Sequence, residues 1–354
     1  MHRLVYFSTL NKIAFSVMLR FLKTAMPLPV CIIVACNAYN LDGKIRSVLQ
    51  PGLTVSATVF ADIPLSNKGV TRNLSAYTSG GTAPYQYSMV ITGTVQTYMT
   101  ISLVNGTLFV GRNTATAMPT TLASLPQMPT VELKVTDSTG SVQTVSGTLQ
   151  VHLKRVLVTK DVITFDSTQW HTGGTNDYSS CSSGDAVQKA NCRCSVVTKA
   201  QGIPGSAQYK AWLSSTAIDA SCNLTGIVGK SCAPTQYDGG PWYNTAGNLV
   251  AEDMGPGTAK GLLAVNIATN QPLQSAIQYF EDGTSAGTIT VWGGTDSTGL
   301  AGGAAGNCTN WTITGGTAQY GRVDGINTAS TAPFWNGGSQ SCAGAMGFYC
   351  FEAD

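Results

Sequence analysis

Charge is scarce in this chain. Asp, Glu, Lys and Arg make up 11% of its 354 residues, against about 25% in an ordinary globular protein. Because 43% of the residues are hydrophobic, disorder driven by charge is excluded. Histidine is rarer still, limited to His2, His152 and His171. A Ser-His-Asp hydrolase would have to use one of the last two, and no G-x-S-x-G elbow accompanies them. Cysteine is missing from residues 37–180. The apolar run at residues 25–35 is eleven residues long with two prolines, too short to span a bilayer. The net charge of +2 also misleads, because Arg3, Lys12, Arg20 and Lys23 sit in residues 1–35 with no acid. Without that segment 16 basic residues face 18 acidic ones, a net of −2. No basic patch remains to neutralise a phosphate backbone, so a nucleic-acid partner is not expected.

What is abundant is glycine, with 39 residues, alongside many Ser, Thr and Asn. Turns use Gly and strands use Thr and Val, so the composition suits a secreted β-rich chain with long loops. The length favours two domains over one. Residues 1–35 predict a targeting segment, with basic residues first and an apolar run ending in Ile33-Val34-Ala35-Cys36. That junction resembles a lipoprotein lipobox, which implies thioether lipidation of Cys36 and cleavage before it. An ordinary secretory signal with an incidental cysteine is the alternative. Met18 is a second candidate start that leaves a signal of normal length. Residues 36–52 are polar and poorly patterned, as a tether is.

Residues 53–154 predict about seven short strands and an immunoglobulin-like β-sandwich. Residues 53–60 alternate with period two, residues 85–91 follow the turn Gly80-Gly81-Thr82-Ala83-Pro84, and residues 131–135 alternate into Asp137-Ser138-Thr139-Gly140. Residues 142–153 alternate again. Gly81-Thr82-Ala83-Pro84-Tyr85 and Asn105-Gly106-Thr107-Leu108 resemble bacterial cadherin-like or Ig-like repeats of surface proteins. With no cysteine here, packing alone must hold the sandwich, and a domain of this size buries enough apolar surface to do so.

Lys154-Arg155 marks the expected boundary, and residues 155–354 form the second domain. Residues 156–158 predict its opening strand. Residues 185–199 show helical spacing, with Val187, Ala190, Cys194 and Val197 on one face, Ser183 as N-cap and Gly202 just past the end. Residues 209–213 predict a strand, residues 219–288 are mostly loop with a short strand at 274–279, and residues 288–292 and 348–351 predict two more strands. Eight cysteines remain after Cys31 and Cys36, all beyond residue 180: Cys181, Cys192, Cys194, Cys222, Cys232, Cys308, Cys342 and Cys350. In an exported chain an even set reads as a disulfide framework, with far too many connectivities for spacing to choose among. Cys192-x-Cys194 and Cys222-x9-Cys232 lack the knuckle spacing of a structural zinc site.

The second half resembles the endostatin-like branch of the C-type-lectin-like fold, and more closely a related bacterial domain of unknown function found in secreted and surface lipoproteins. The residues that carry the resemblance are Val291-Trp292-Gly293-Gly294, Cys308-Thr309-Asn310-Trp311 and the closing Cys342 to Cys350-Phe351-Glu352. It covers about residues 155–354. It implies nested bridges Cys308–Cys342 and Cys194–Cys350, with Cys194 the match because it sits on the apolar face. Cys222 and Cys232 then bracket a local loop, which leaves Cys181 with Cys192. The fold expected is therefore mostly β with some α: an Ig-like β-sandwich, then a disulfide-bonded C-type-lectin-like α+β domain. Endostatin's zinc rests on N-terminal histidines that nothing here replaces, and the calcium-dependent sugar motif of C-type lectins is absent.

The remaining candidates are few. Glu252-Asp253 and Glu281-Asp282 are acid pairs of the kind that serves glycosidase chemistry or calcium, but adjacent acids in loops are usually solvated. His152 on a strand and His171 in a Gly-rich loop read as structural and solvated. Trp292 and Trp311 read as core residues. The Gly-rich loop 293–307 carries the candidate binding residues Asp296 and Leu300, since long loops on a braced scaffold commonly carry function. No catalysis, cofactor or metal is expected. The expectation is a lipid-anchored protein of the bacterial outer membrane, exposed at the surface and adhesin-like, meeting a host or matrix protein or glycan. The alternatives are an envelope component without external ligand, and a calcium-independent carbohydrate-binding protein.

Overall fold

The computed structural model describes residues 52–122, 125, 128–164, 170, 175–232, 239–254, 273, 275–295, 301, 306–324 and 338–354. The expected signal and nearly all of the tether, with Cys36, lie outside the described residues, as do His171, Asp296 and Leu300. The described residues are mostly β, with few helices and four disulfides among them.

The first half contributes β1 (Thr54–Val55), β2 (Ile63–Leu65), β3 (Val70–Asn73), β4 (Thr78–Ser79), β5 (Gln86–Thr92), β6 (Met99–Val104), β7 (Thr107–Arg112), β8 (Thr130–Thr136) and β9 (Val142–Thr148). Two antiparallel three-stranded sheets result, β3-β7-β6 and β5-β8-β9. The alternation of β8 puts Val131, Leu133 and Val135 inside and Glu132 and Lys134 out. Leu108 and Val110 of β7 join Val131 and Leu133 in one apolar core. The strand expected over residues 53–60 is instead β1 followed by a 3-10 turn, Ala57–Phe60, capped by the Ser56 hydroxyl, which accepts from Thr58 N at 3.3 Å. Val59 and Phe60 are both buried. Neighbours on a strand point to opposite faces, so the turn is what brings both inward.

Strand β10 (Val151–Val158) is where the halves meet. Its first residues pair in parallel with β2, and its last pair with β12 (Trp242–Asn244) and β17 (Gly347–Glu352). The boundary expected at Lys154-Arg155 falls inside this unbroken strand. The second half adds β11 (Tyr209–Ala211), β13 (Leu249–Ala251), β14 (Thr290–Trp292), β15 (Thr317–Arg322) and β16 (Gly338–Ser341), giving a mixed sheet in the order β13-β12-β10-β17-β14-β15-β16, with β11 on β17. β17 is buried along its whole length. Phe348 and Cys350 face one core with Leu157, while Tyr349 and Phe351 face another with Val156 and Val158.

Helix α1 (Ala186–Ala200) covers the first of these faces with Val187, Ala190, Cys194 and Val197. Its N-cap is Asp185 rather than Ser183. The Asp185 carboxylate accepts from Gln188 N and the Gln188 side chain reaches back to Asp185 N, both at 2.9 Å. The span expected as loop, 219–288, contains helix α2 (Ala220–Thr225) and strands β12 and β13. Each of those strands is three residues long and buried throughout, so no alternation marks it in the sequence. The described residues of 274–279 make isolated bridges near Tyr279 and Phe280 and no strand.

Candidate functional site

A groove of about 450 Å3 crosses β10 where the halves join. Val151, His152, Leu153 and Arg155 come from the strand itself, and Gly202, Ile203 and Pro204 from the exit of α1. Thr245 and the turn Glu281-Asp282-Gly283 close the far side, and Leu125 reaches in from the first half. The volume lies within the ~300–1,000 Å3 range of small-molecule sites.

The groove's polar groups are fixed from behind. His152 Nε2 lies 2.6 Å from Glu352 Oε1, and its Nδ1 is 3.5 Å from Asp62 Oδ1. Glu352 is buried at the end of β17, and its other oxygen accepts from Arg155 N at 3.3 Å. Gly205 has φ +69°, and a methyl group there would overlap the Glu352 carboxylate. Only glycine meets both demands without strain. The Arg155 guanidinium donates to Asn244 O at 2.9 Å. Burial lowers its pKa, opposed by Tyr209, Glu352 and Tyr243 nearby. Opposite in character, Glu281 is 7% exposed and burial raises its carboxyl above the usual range, although Lys160 N donates to it at 2.9 Å. Asp282 is exposed to water and lowered to about 2 by hydrogen bonds from Thr284 and then Lys160.

The eight cysteines close as Cys194–Cys350 and Cys308–Cys342, the pairs the resemblance implies, and as Cys222–Cys232 and Cys181–Cys192, the expected local pair and the remainder. Trp292 and Trp311 are buried and meet edge to face at 5.9 Å. The acid pairs depart from the solvated state expected of them. Glu252 and Asp253 are 6% and 8% exposed, and Glu252 forms a buried ion pair with Arg112 of the first half. Arg112 also donates to Glu252 O at 3.0 Å, while Asn67 Nδ2 donates to that same carbonyl and to Gly239 O, each at 2.9 Å. Glu281 is buried as well, and of the four only Asp282 is open to water. The strand–loop join burying these acids packs against the other half, something a loop composition does not reveal.

Asp161, Tyr178 and Arg193 form a second buried network that sequence reading missed. Tyr178 donates to Asp161 at 2.6 Å, Asn176 adds a bond at 2.8 Å, and the Arg193 guanidinium stacks 3.6 Å over the Tyr178 ring. Burial pushes the Asp161 carboxyl up, and these bonds outweigh it and hold it low. Thr295 and Asn307, which flank residues 296–305, are buried, and Thr295 Oγ1 and Asn307 Nδ2 have no hydrogen-bond partner among the described residues. Of the groove residues, Leu125, Ile203, Pro204 and Thr245 had no warning in the sequence, and His152 read as structural. Lys154-Arg155 stood out only as a basic pair at a boundary.

Among the described residues, no group of His, Cys, Asp or Glu is arranged to hold a metal ion. No helix among them is long and apolar enough to cross a membrane. No protein family, curated protein or solved structure matches the chain.

Proposed function

We propose that this chain is an exported, lipid-anchored binding protein of the bacterial outer membrane, in which an Ig-like sandwich carries a C-type-lectin-like, disulfide-braced half toward a host or matrix macromolecule. The single observation that carries the reading is the segregation of cysteine. All four bridges lie in the second half and the sandwich has none. Bridges of that number form and persist in an oxidising compartment outside the cytoplasm. A binding role is supported by the open groove of about 450 Å3 across β10, lined by both polar and aliphatic side chains.

Two measurements test the reading. Cys36→Ala is expected to move the full-length protein from the detergent phase to the aqueous phase; unchanged partitioning overturns the anchor. The purified chain is expected to bind at least one immobilised matrix protein or glycan in a saturable way. Failure across a broad panel overturns the binding role.

A further inference from the structure

The geometry points to the groove across β10 as a calcium-independent site for a neutral, hydroxyl-rich ligand, a segment of an uncharged oligosaccharide. The inference rests on the binding reading above and names the ligand class for one place in the fold.

The argument is by charge and by hydrogen-bond type. A strongly anionic ligand would meet Glu281, Asp282 and, behind His152, Glu352 and Asp62. A strongly cationic one would meet the half-buried Arg155 guanidinium in the same groove, with Lys160 bound to Asp282. A wholly apolar ligand would strip water from these charged groups and return no hydrogen bond to them. A sugar hydroxyl both donates and accepts. It therefore suits a wall that sets the donors of Arg155 beside the carboxylate acceptors of Glu281 and Asp282. Between them Val151, Leu153, Ile203 and Pro204 offer aliphatic surface to the C–H faces of a ring. His152 and Arg155 are already held from behind by Glu352 and Asn244, so little ordering remains to oppose binding. The groove lacks an aromatic platform among its lining residues, which favours recognition by hydroxyl pattern over stacking.

The test is a glycan panel probed with the intact chain in the presence of EDTA, followed by calorimetry on the tightest neutral glycan. Pro204 is exposed at the rim, and Pro204→Trp fills the mouth without removing a buried contact. Arg155→Met removes the donors and keeps the stem. Both variants are expected to weaken binding at least tenfold, with the melting temperature of Pro204→Trp unchanged. Should Arg155→Met fail to fold, Pro204→Trp decides alone. Full affinity in Pro204→Trp overturns the site. Binding restricted to sulfated or sialylated glycans overturns the ligand class, and so does competition by free amino acids or short peptides in place of sugars. If no glycan binds but a matrix protein does, this inference fails and the binding role stands. If neither binds, both fall.

Discussion

The two halves hold themselves together by different means. In the first, β5, β8 and β9 are seven residues long and pair along their whole length over an apolar core, with no cysteine. In the second, β11, β12, β13 and β14 have three residues each, and long stretches of chain separate β11 from β12 and β13 from β14. Short strands make few ladder bonds, and long connections cost conformational entropy. Bridges supply what pairing does not, each typically ~2–4 kcal/mol, by restricting the unfolded chain. Cys194–Cys350 spans 156 residues and ties α1 to the central strand. The second half also buries charge to a degree the first does not: Arg193 and Glu352 are each 1% exposed, as sealed as Lys154 on the shared strand β10. Lys154 is matched by Asp354 at 2.7 Å and lies over the Trp242 ring. Each such group is stable only while its partner stays, so this half is specific and brittle where the first half is redundant.

Reduction gives the largest expected effect. Dithiothreitol is expected to abolish the near-ultraviolet signal of the second half, rich in buried tryptophan, and to leave the β5-β8-β9 ladder protected against hydrogen exchange. Equal survival of both halves would remove the contrast. Next comes the junction. Arg112→Met leaves Glu252 charged and buried, at a cost of about 3–5 kcal/mol in urea unfolding. Arg112→Met with Glu252→Leu is expected to recover most of that loss. A single mutant as stable as the parent would mean that the halves merely touch. Gly205→Ala is smaller, about 1–3 kcal/mol, because a left-handed φ and the Glu352 carboxylate both oppose a side chain.

The smallest effect is a pH slope. Burial raises the folded pKa of Glu281, so its contribution is fully present below the unfolded value and is lost as pH rises through the folded one. Asp161 and Asp282 are lowered; their contributions are present above the unfolded value and are lost as pH falls through the folded one. Glu281→Gln is expected to remove the decline on the alkaline side of pH 4 and leave the acid limb unchanged, as urea midpoints from pH 3 to 7 would show. An unchanged profile on both limbs would mean that Glu281 titrates normally.

Legibility in the sequence follows the same divide. In the first half, Val131-Glu132-Leu133-Lys134-Val135 shows its alternation because one face meets water. In α1, Val187, Ala190, Cys194 and Val197 show a stripe because the opposite face is solvated. β12 and β13 are buried on both faces and three residues long, so neither period nor length marked them. Residues 53–60 read as alternating, but the run ends in the adjacent apolar pair Val59-Phe60, and burying both made it a turn. The groove was invisible for another reason. Its residues come from five separate stretches, and only the fold brings Arg155, Ile203 and Glu281 to one surface.

The central claim is that β10 makes one cooperative body of two differently built halves. Hydrogen exchange during thermal unfolding, followed at Thr130–Thr136 of β8 and Gly347–Glu352 of β17, tests it most directly. With the bridges intact, both strands are expected to lose protection in a single transition. With the bridges reduced, β17 is expected to open first and β8 to persist to a higher temperature. Two separate transitions in the oxidised protein would contradict the shared strand, and simultaneous loss after reduction would contradict the difference between the halves.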